Sequence, residues 1–468
     1  MIPVDDAAPR PPLPAVASAG AGSRSEARPR AARAAPELGA EAVRLAAELI
    51  AIDTTNTGDA DSKGERAAAE HVMACLTEAG YAPVCFESEP RRATVVQRIE
   101  GWDPWAPALV VHGHLDVVPA DASDWTVPPF AGELRDGELW GRGAVDMKDM
   151  VGMMLAIAAD WARSGARPRR DIVLAFFADE EAGGWLGAHW TVDHRPELLA
   201  GATEAVGEVG GFSTMVGARR AYLIQTAEKG LMWLRLVARG TAGHGSAANP
   251  DNAVRRLAEA ASRVAAHAWP VDLTGTVRAL LQGVAELTGL PYSEDPADLE
   301  ALVAALGPAR RFVGSSLATA SNLTGLAAGY KANVVPSRAE ATLDVRPIPG
   351  TRDQVAATLA REAGDGIVLE FANEGIGTEA PFETALVDRM ADALGAADPG
   401  AAVLPYMLSA GTDAKALARL GIRGYGFVPL RLPADFDFTA MFHGVDERVP
   451  VAAVEFGARV LRDFLLTA

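Results

Sequence analysis

Apolar residues recur along this chain with two different periods. Val43, Leu45, Leu49 and Ile50 stand at near-helical spacing within residues 37–52, and Asp53-Thr54-Thr55-Asn56 closes that segment with turn chemistry. Residues 64–79 predict a second helix that stops at Gly80. Short β-like runs follow at 84–86 and 93–99, and Ala108-Leu109-Val110 then reads as a buried strand. A helix over 151–162, a strand over 172–177 and a helix over 185–192 continue the alternation. This order predicts an α/β fold, a three-layer α/β/α sandwich with ligands at its strand ends.

The rhythm changes after Glu228-Lys229-Gly230. A strand at 231–238, a helix at 252–267, strands at 318–329 and 339–345, a helix at 352–363 and a strand at 367–371 give the β-α-β-β-α-β order of a ferredoxin-like α+β unit. Residues 271–311 are extra to that minimal unit and look helical. The larger domain resumes near Thr378 and carries a small-residue turn over 405–414 and a helix over 414–420. The expected organisation is a discontinuous domain of residues 37–227 and 374–468, interrupted by an insert of residues 228–373. Residues 1–36 are rich in Ala, Pro, Arg and Ser and are expected to be a disordered extension. Asp5, Asp6 and Glu26 argue against a transit peptide there.

Composition narrows the function classes. With 468 residues, 49 % of them hydrophobic, a large core is available. The balance of 43 Lys plus Arg against 61 Asp plus Glu gives a net charge of -18, which disfavours nucleic acid and anionic membrane as partners. No apolar run has the length of a membrane span, and the N-terminus lacks the apolar core of a secretory signal. Cys75 and Cys85 are the only cysteines, so neither a disulfide framework nor a thiolate cluster is expected, and a reducing, cytoplasmic setting is the simplest reading.

Chemistry concentrates at three strand ends. In Val111-His112-Gly113-His114-Leu115-Asp116-Val117-Val118-Pro119, His114 and Asp116 share a face, one group suited to ligate a metal and one to orient the imidazole through its other nitrogen. In Gly141-Arg142-Gly143-Ala144-Val145-Asp146-Met147-Lys148, the glycines allow a tight path and Asp146 stands at the mouth of the next helix, where it could equally be an N-cap. Ala178-Asp179-Glu180-Glu181-Ala182-Gly183-Gly184 places adjacent glutamates after a buried strand. Such a pair is costly unless a positive charge meets it, or else it is a solvated loop.

The motifs H-x-D-V-V-P, G-R-G-x-x-D-x-K and D-E-E-x-G-G, followed by the late His443 in Met441-Phe442-His443-Gly444, resemble the di-zinc aminoacylase and carboxypeptidase metallopeptidase family. That family includes glutamate carboxypeptidase, succinyl-diaminopimelate desuccinylase and carboxypeptidase S, and the resemblance runs from about Leu45 to the C-terminus. It implies that His114 ligates one metal, Asp146 bridges two, and Glu181 and His443 complete the second. The remaining ligand precedes a Gly-Gly turn in that family, which points to Glu208, with Glu204 the weaker alternative. Here Gly207 and Val209 depart from the family's Asn-Glu-Gly-Gly.

By the same resemblance Glu180 is the general base, Asp116 orients His114, and His244 reaches across a homodimer formed by the insert, which is a lid or dimerisation domain. Asn333 and Arg346 resemble substrate contacts, and the N–H groups of the Gly411-Thr412 turn would suit a carboxylate. His71, His189, His194 and His267 lie outside the motifs and read as surface or packing residues. The implied cofactors are two divalent ions, Zn²⁺ by preference, with Co²⁺ or Mn²⁺ also fitting an N/O ligand set. The implied reaction is water-mediated hydrolysis of an amide or peptide bond in a dipeptide or N-acyl amino acid. These motifs do not separate a peptidase from a deacylase. A non-catalytic binding protein on the same scaffold is disfavoured by the retained Glu180.

Overall fold

Ala108–His114 and Ile172–Phe177 pair in parallel inside the larger of the sheets. Both are buried along their whole length, so their apolar runs are continuous and their side chains divide by parity. Ile172, Leu174 and Phe176 join a core that also holds Leu45, Leu49, Met150, Met154 and Leu461. Val173, Ala175 and Phe177 join a second core on the opposite face, with Ala188, Val192 and Leu417. Helices therefore cover both faces, as the alternation along the chain predicts. The computed structural model describes residues 37–468, and the extension expected to be disordered, residues 1–36, lies outside the described residues.

The larger sheet runs Val84–Glu87, Ala93–Ile99, Ile172–Phe177, Ala108–His114, Ala202–Gly207, Arg423–Gly426, Arg219–Glu228, Thr378–Glu379, with Ala402–Leu408 and Phe212–Val216 also paired to Arg219–Glu228. Ala202–Gly207 is parallel to Ala108–His114. Three neighbouring strands thus end at one edge, where the loops carrying His114, Glu180 and Glu208 begin, the place where open α/β sheets bind ligands. Among the described residues no helix is long and apolar enough to cross a membrane.

The smaller sheet has the order Ala320–Ala328, Arg338–Arg346, Leu231–Arg239, Ile367–Gly375, all antiparallel. The helices Ala253–Ala266 and Arg352–Ala363 pack Leu257, Val264, Val355 and Leu359 against it, completing the ferredoxin-like unit. Asn252 caps the first of these helices, accepting hydrogen bonds from the N–H groups of Val254 and Arg255.

The helical segment 271–311 does not pack as its place in the chain suggests. Val277, Leu280, Leu281 and Val284 form one apolar stripe on Gly275–Thr288, and with Leu299, Leu302 and Val313 they enter the core of the larger sheet. Gly283 lets that helix lie close on Ala402–Leu408, because an added Cβ would stand 2.3 Å from Leu404. The expected insert 228–373 is therefore divided in its packing. Its two ends build the smaller sheet, and the helical middle belongs with the larger one.

Candidate metal centre and its cavity

His114 ends its strand fully buried, and its ring is oriented from behind. The Nδ1 atom lies 2.9 Å from the backbone carbonyl of Asp116. A carbonyl only accepts, so Nδ1 carries a proton, and Nε2 is the nitrogen left to face the carboxylates or a metal. That Nε2 lies 3.0 Å from Asp146 Oδ1 and 3.4 Å from Glu208 Oε2. Glu204, the alternative to Glu208, is paired with Arg170 at 2.7 Å and Arg423 at 3.2 Å and is removed from the centre. Gly207 is needed beside Glu208 because an added Cβ would stand 2.4 Å from the buried ring of His112.

The other side of Asp146 makes a second cluster. His443 Nε2 lies 3.3 Å from Asp146 Oδ2 and 3.1 Å from Glu181 Oε2. His443 stands at φ +57°, a left-handed conformation uncommon outside glycine, which aims its ring toward the two carboxylates. Glu180 lies on the same short turn as Glu181, and one of its oxygens comes within 4.8 Å of ligand atoms of His114 and Glu208. The sequence-derived set His114, Asp146, Glu180, Glu181, Glu208 and His443 is thus brought to one place.

Asp116 departs from expectation in what its carboxylate does. Its Oδ1 stands 3.6 Å from His114 Nδ1, beyond hydrogen-bond length, because the backbone carbonyl already occupies that nitrogen. The carboxylate instead accepts from the N–H groups of Glu180 at 3.1 Å and Glu181 at 3.0 Å and from Asn56 Nδ2 at 2.8 Å. It holds the glutamate turn and leaves the imidazole to its own main chain. Asn56 in turn accepts from Arg92 at 3.0 Å, which ties the loop after the first helix to this floor.

Glu447 was not singled out by any motif, and it joins two of the ligand loops. Fully buried four residues after His443, it accepts from Arg142 Nη1 at 2.7 Å and from the N–H groups of Gly143, Val145 and Asp146 at 3.0, 2.8 and 3.2 Å. Burial pushes its pKa up to about 7, against the pull of Arg142. The amide of Glu447→Gln cannot accept at both positions, so N–H groups around Asp146 would lose their partner. We expect that variant to bind metal roughly 10- to 100-fold more weakly, the usual effect of removing a group that orients ligands. Competition against a chromogenic chelator measures this, and unchanged affinity in a folded variant would refute the role.

The cluster carries more negative charge than its own side chains neutralise. Among the described residues no Lys or Arg forms an ion pair with Asp146, Glu181 or Glu208, whose recorded partners are His114 and His443. Burial pushes the Glu180 carboxyl well above its ordinary range, and Glu208 adds to the shift. Burial likewise raises Glu208 to about 8. His443 is raised to about 10 by its hydrogen bonds to Asp146 and Glu181. Burial alone would lower His114, yet Glu208 and Asp146 hold it well above the usual imidazole value. Protons are drawn in where cations would otherwise stand.

A divalent ion fits this set. Two donors about 2.0–2.2 Å from a tetrahedral zinc stand roughly 3.3–3.6 Å apart, close to the donor spacings on both sides of Asp146. Glu181 Oε1 is buried without a hydrogen-bond partner, as suits an oxygen that ligates a metal.

These groups open into a cavity of about 610 Å³ lined by Glu180, Glu181 and His443 at one part and by Trp185, Trp233, Arg346 and Lys415 at others. The wall residues Trp185, Trp233, Lys415 and Asn373 were not anticipated. His189, read as a surface or packing residue, also lines the cavity, stacked on Trp185 with ring centroids 4.4 Å apart. Arg346 lines it with its fork closed on Asp344 at 2.6 and 2.9 Å. Thr412 does not offer its N–H or hydroxyl, since both go to buried Glu228 at 3.0 and 2.6 Å. Gly411 remains on the cavity surface. His244 and Asn333 are not brought to this cavity within the chain. They sit exposed on a small ribbon where Gly243–His244 pairs with Val334–Val335 and Gly245 N–H donates to Asn333 O at 2.8 Å.

Comparison with known proteins gives the family and the fold. The family model described as Peptidase family M20/M25/M40 matches residues 110–467. The chain is similar to an N-fatty-acyl-amino acid synthase/hydrolase of Homo sapiens, 28% identical over 79% of this chain and 76% of that protein. It is also 28% identical to a probable carboxypeptidase S-like protein of Dictyostelium discoideum over 76% of this chain and 71% of that protein. Among solved structures, an M20 family metallo-carboxypeptidase from Sulfolobus solfataricus shares the fold with a TM-score of 0.69 at 17% identity, covering 91% of this chain and 98% of the other.

Proposed function

The chain belongs to Peptidase family M20/M25/M40 and is a metallohydrolase, and on that premise we propose that it hydrolyses the amide bond of a small carboxylate-bearing substrate, a dipeptide or an N-acyl amino acid. The observation that carries this reading is the pair of imidazole–carboxylate clusters sharing Asp146, with Glu180 beside them at the mouth of a substrate-sized cavity. His114, Glu208 and Asp146 would hold one divalent ion, and Asp146, Glu181 and His443 the other. Zn²⁺ suits these nitrogen and oxygen donors, with Co²⁺ and Mn²⁺ able to replace it. When bound, such a pair of ions lowers the pKa of water and polarises the amide carbonyl.

The chain's own groups do the rest. Asp116 fixes the Glu180–Glu181 turn through two backbone N–H groups. Glu180 takes a proton from the attacking water and returns it to the leaving amine, for which a raised carboxyl pKa is suited. The apolar side of the cavity, Trp185, Trp233, Leu231 and Ile376, receives the part of the substrate beyond the scissile bond and excludes water there. Free Cys75 and Cys85 favour a cytoplasmic site of action.

The test is hydrolysis of a panel of acyl amino acids and dipeptides by metal-loaded protein. We expect turnover that a chelator abolishes and divalent metal restores. Activity that survives complete removal of metal would end this reading. The relative rates across the panel then separate deacylase from peptidase, and the similarity to an N-fatty-acyl-amino acid hydrolase favours the former.

His244 has no partner in its own cavity and is exposed beside Asn333 on one ribbon. In this reading the ribbon serves the centre of a second copy of the chain, His244 stabilising the oxyanion and Asn333 contacting substrate. We expect sedimentation to show a homodimer. A fully active monomer would remove that role from both residues.

A further inference from the structure

Of the groups expected to hold the substrate's carboxylate, Thr412 gives both its donors to Glu228, and Arg346 gives two of its five N–H groups to Asp344. Another cation lines the same cavity. Lys415 belongs to the short helix Ala414–Ala418 and is 8 % exposed. Its Nζ donates one hydrogen bond, to the carbonyl of Lys229 at 2.7 Å, and among the described residues no carboxylate reaches ion-pair distance of it. An ammonium has three N–H donors, so two are left for a ligand.

The backbone around Lys415 keeps its head open to the cavity. Gly411 and Gly375 both line that space, and an added Cβ at Gly411 would stand 2.3 Å from Nζ, with one at Gly375 lying 3.8 Å from Cδ. The stem therefore passes beneath two bare Cα positions. Arg346 and Glu180, the glutamate beside the metal centre, line the same cavity as Lys415. A nearly buried ammonium with unfilled donors, uncovered by glycine, is a built anion subsite.

We propose that Lys415 is the specificity-determining cation of this enzyme, donating directly to the free carboxylate of the substrate, and that the Arg346–Asp344 pair shapes the wall beside it. This rests on the hydrolytic reading of the site and deepens it. A free carboxylate on the amine side of the scissile bond becomes a requirement, and substrates lacking it are rejected because the ammonium is left unpaired.

The experiment compares N-acetyl-L-leucine, N-benzoylglycine and L-alanyl-L-leucine with their C-terminal carboxamides, using metal-loaded protein and following kcat and KM for release of the amine. Wild type should prefer the acids. Lys415→Met should lower kcat/KM for an acid roughly 10- to 100-fold, the worth of a hydrogen bond to a charged group, chiefly through KM. It should leave the carboxamide nearly unchanged, while Lys415→Arg keeps most of the preference. If Lys415→Met does not fold, Lys415→Gln, which keeps a polar head and removes the charge, carries the same expectation. Equal losses on acid and carboxamide would overturn the proposal. So would a preference that survives Lys415→Met and disappears in Arg346→Met. A wild type that cleaves acids and carboxamides alike leaves hydrolysis standing and removes the carboxylate requirement. A wild type that cleaves none of the panel overturns the hydrolytic reading, and the proposal with it.

Discussion

Glu180→Gln is expected to keep the fold and the metals and to lose turnover by roughly 10²–10⁴-fold, the usual contribution of a positioned proton-transfer group. The structure gives three reasons to separate Glu180 from its neighbour. Both glutamates sit on one turn whose N–H groups are held by Asp116, so an isosteric amide leaves the backbone in place. Glu181 faces His443 at 3.1 Å and has a buried oxygen without a partner, which is the position of a ligand. Glu180 lies toward His114 and Glu208, away from His443. Glu181→Gln should consequently weaken metal binding as well as the rate. Metal analysis and steady-state kinetics on the two variants decide the matter. Loss of metal in Glu180→Gln with retention in Glu181→Gln would exchange the two roles, and full activity in Glu180→Gln would move proton transfer to another group.

How much of this was readable beforehand depended on whether the deciding contact was local. The parity of Ile172–Phe177 and the stripe of Gly275–Thr288 are properties of single segments, so the strand and the helix could be read directly. The stripe says that a face is buried, and it does not say against which sheet; the fold packs it into the core of the larger one. The family resemblance names His114, Asp146, Glu181 and His443 together, because their motifs stand along the chain in the order that family has. Choosing between Glu204 and Glu208 needed Arg170 and Arg423, which reach Glu204 from other strands and loops. Glu447 was invisible for the same reason, since its donors at Arg142, Gly143, Val145 and Asp146 lie on a loop some 300 positions earlier. Thr412 and Arg346 carry the right chemistry for a carboxylate. The fold gives both Thr412 donors to Glu228 and two of the five Arg346 N–H groups to Asp344.

Asp146→Ala should have the broadest effect of any single change at this centre, because Asp146 is the one residue that both imidazoles share. Its Oδ1 lies 3.0 Å from His114 and its Oδ2 3.3 Å from His443, and its carboxyl stays ionised despite burial because those two rings hold it so. Removing it leaves His114 with Glu208 and His443 with Glu181, two donors on each side where a closed site needs three or four. The loop itself should persist, since Glu447 still holds the N–H groups around it. We therefore expect folded protein that retains less than one ion per chain where wild type retains two. Its kcat should fall on the order of 10³-fold or more, corresponding to the several kcal/mol of transition-state stabilisation that metal ions supply. His443→Ala differs in kind. It disturbs one side alone and should leave an ion at His114, Asp146 and Glu208. Elemental analysis after dialysis against metal-free buffer, with circular dichroism as the control for folding, distinguishes these cases. Two ions retained in Asp146→Ala would show that the clusters are independent and that Asp146 bridges nothing. A wild type fully active with a single ion would show that the second cluster plays no part in the reaction.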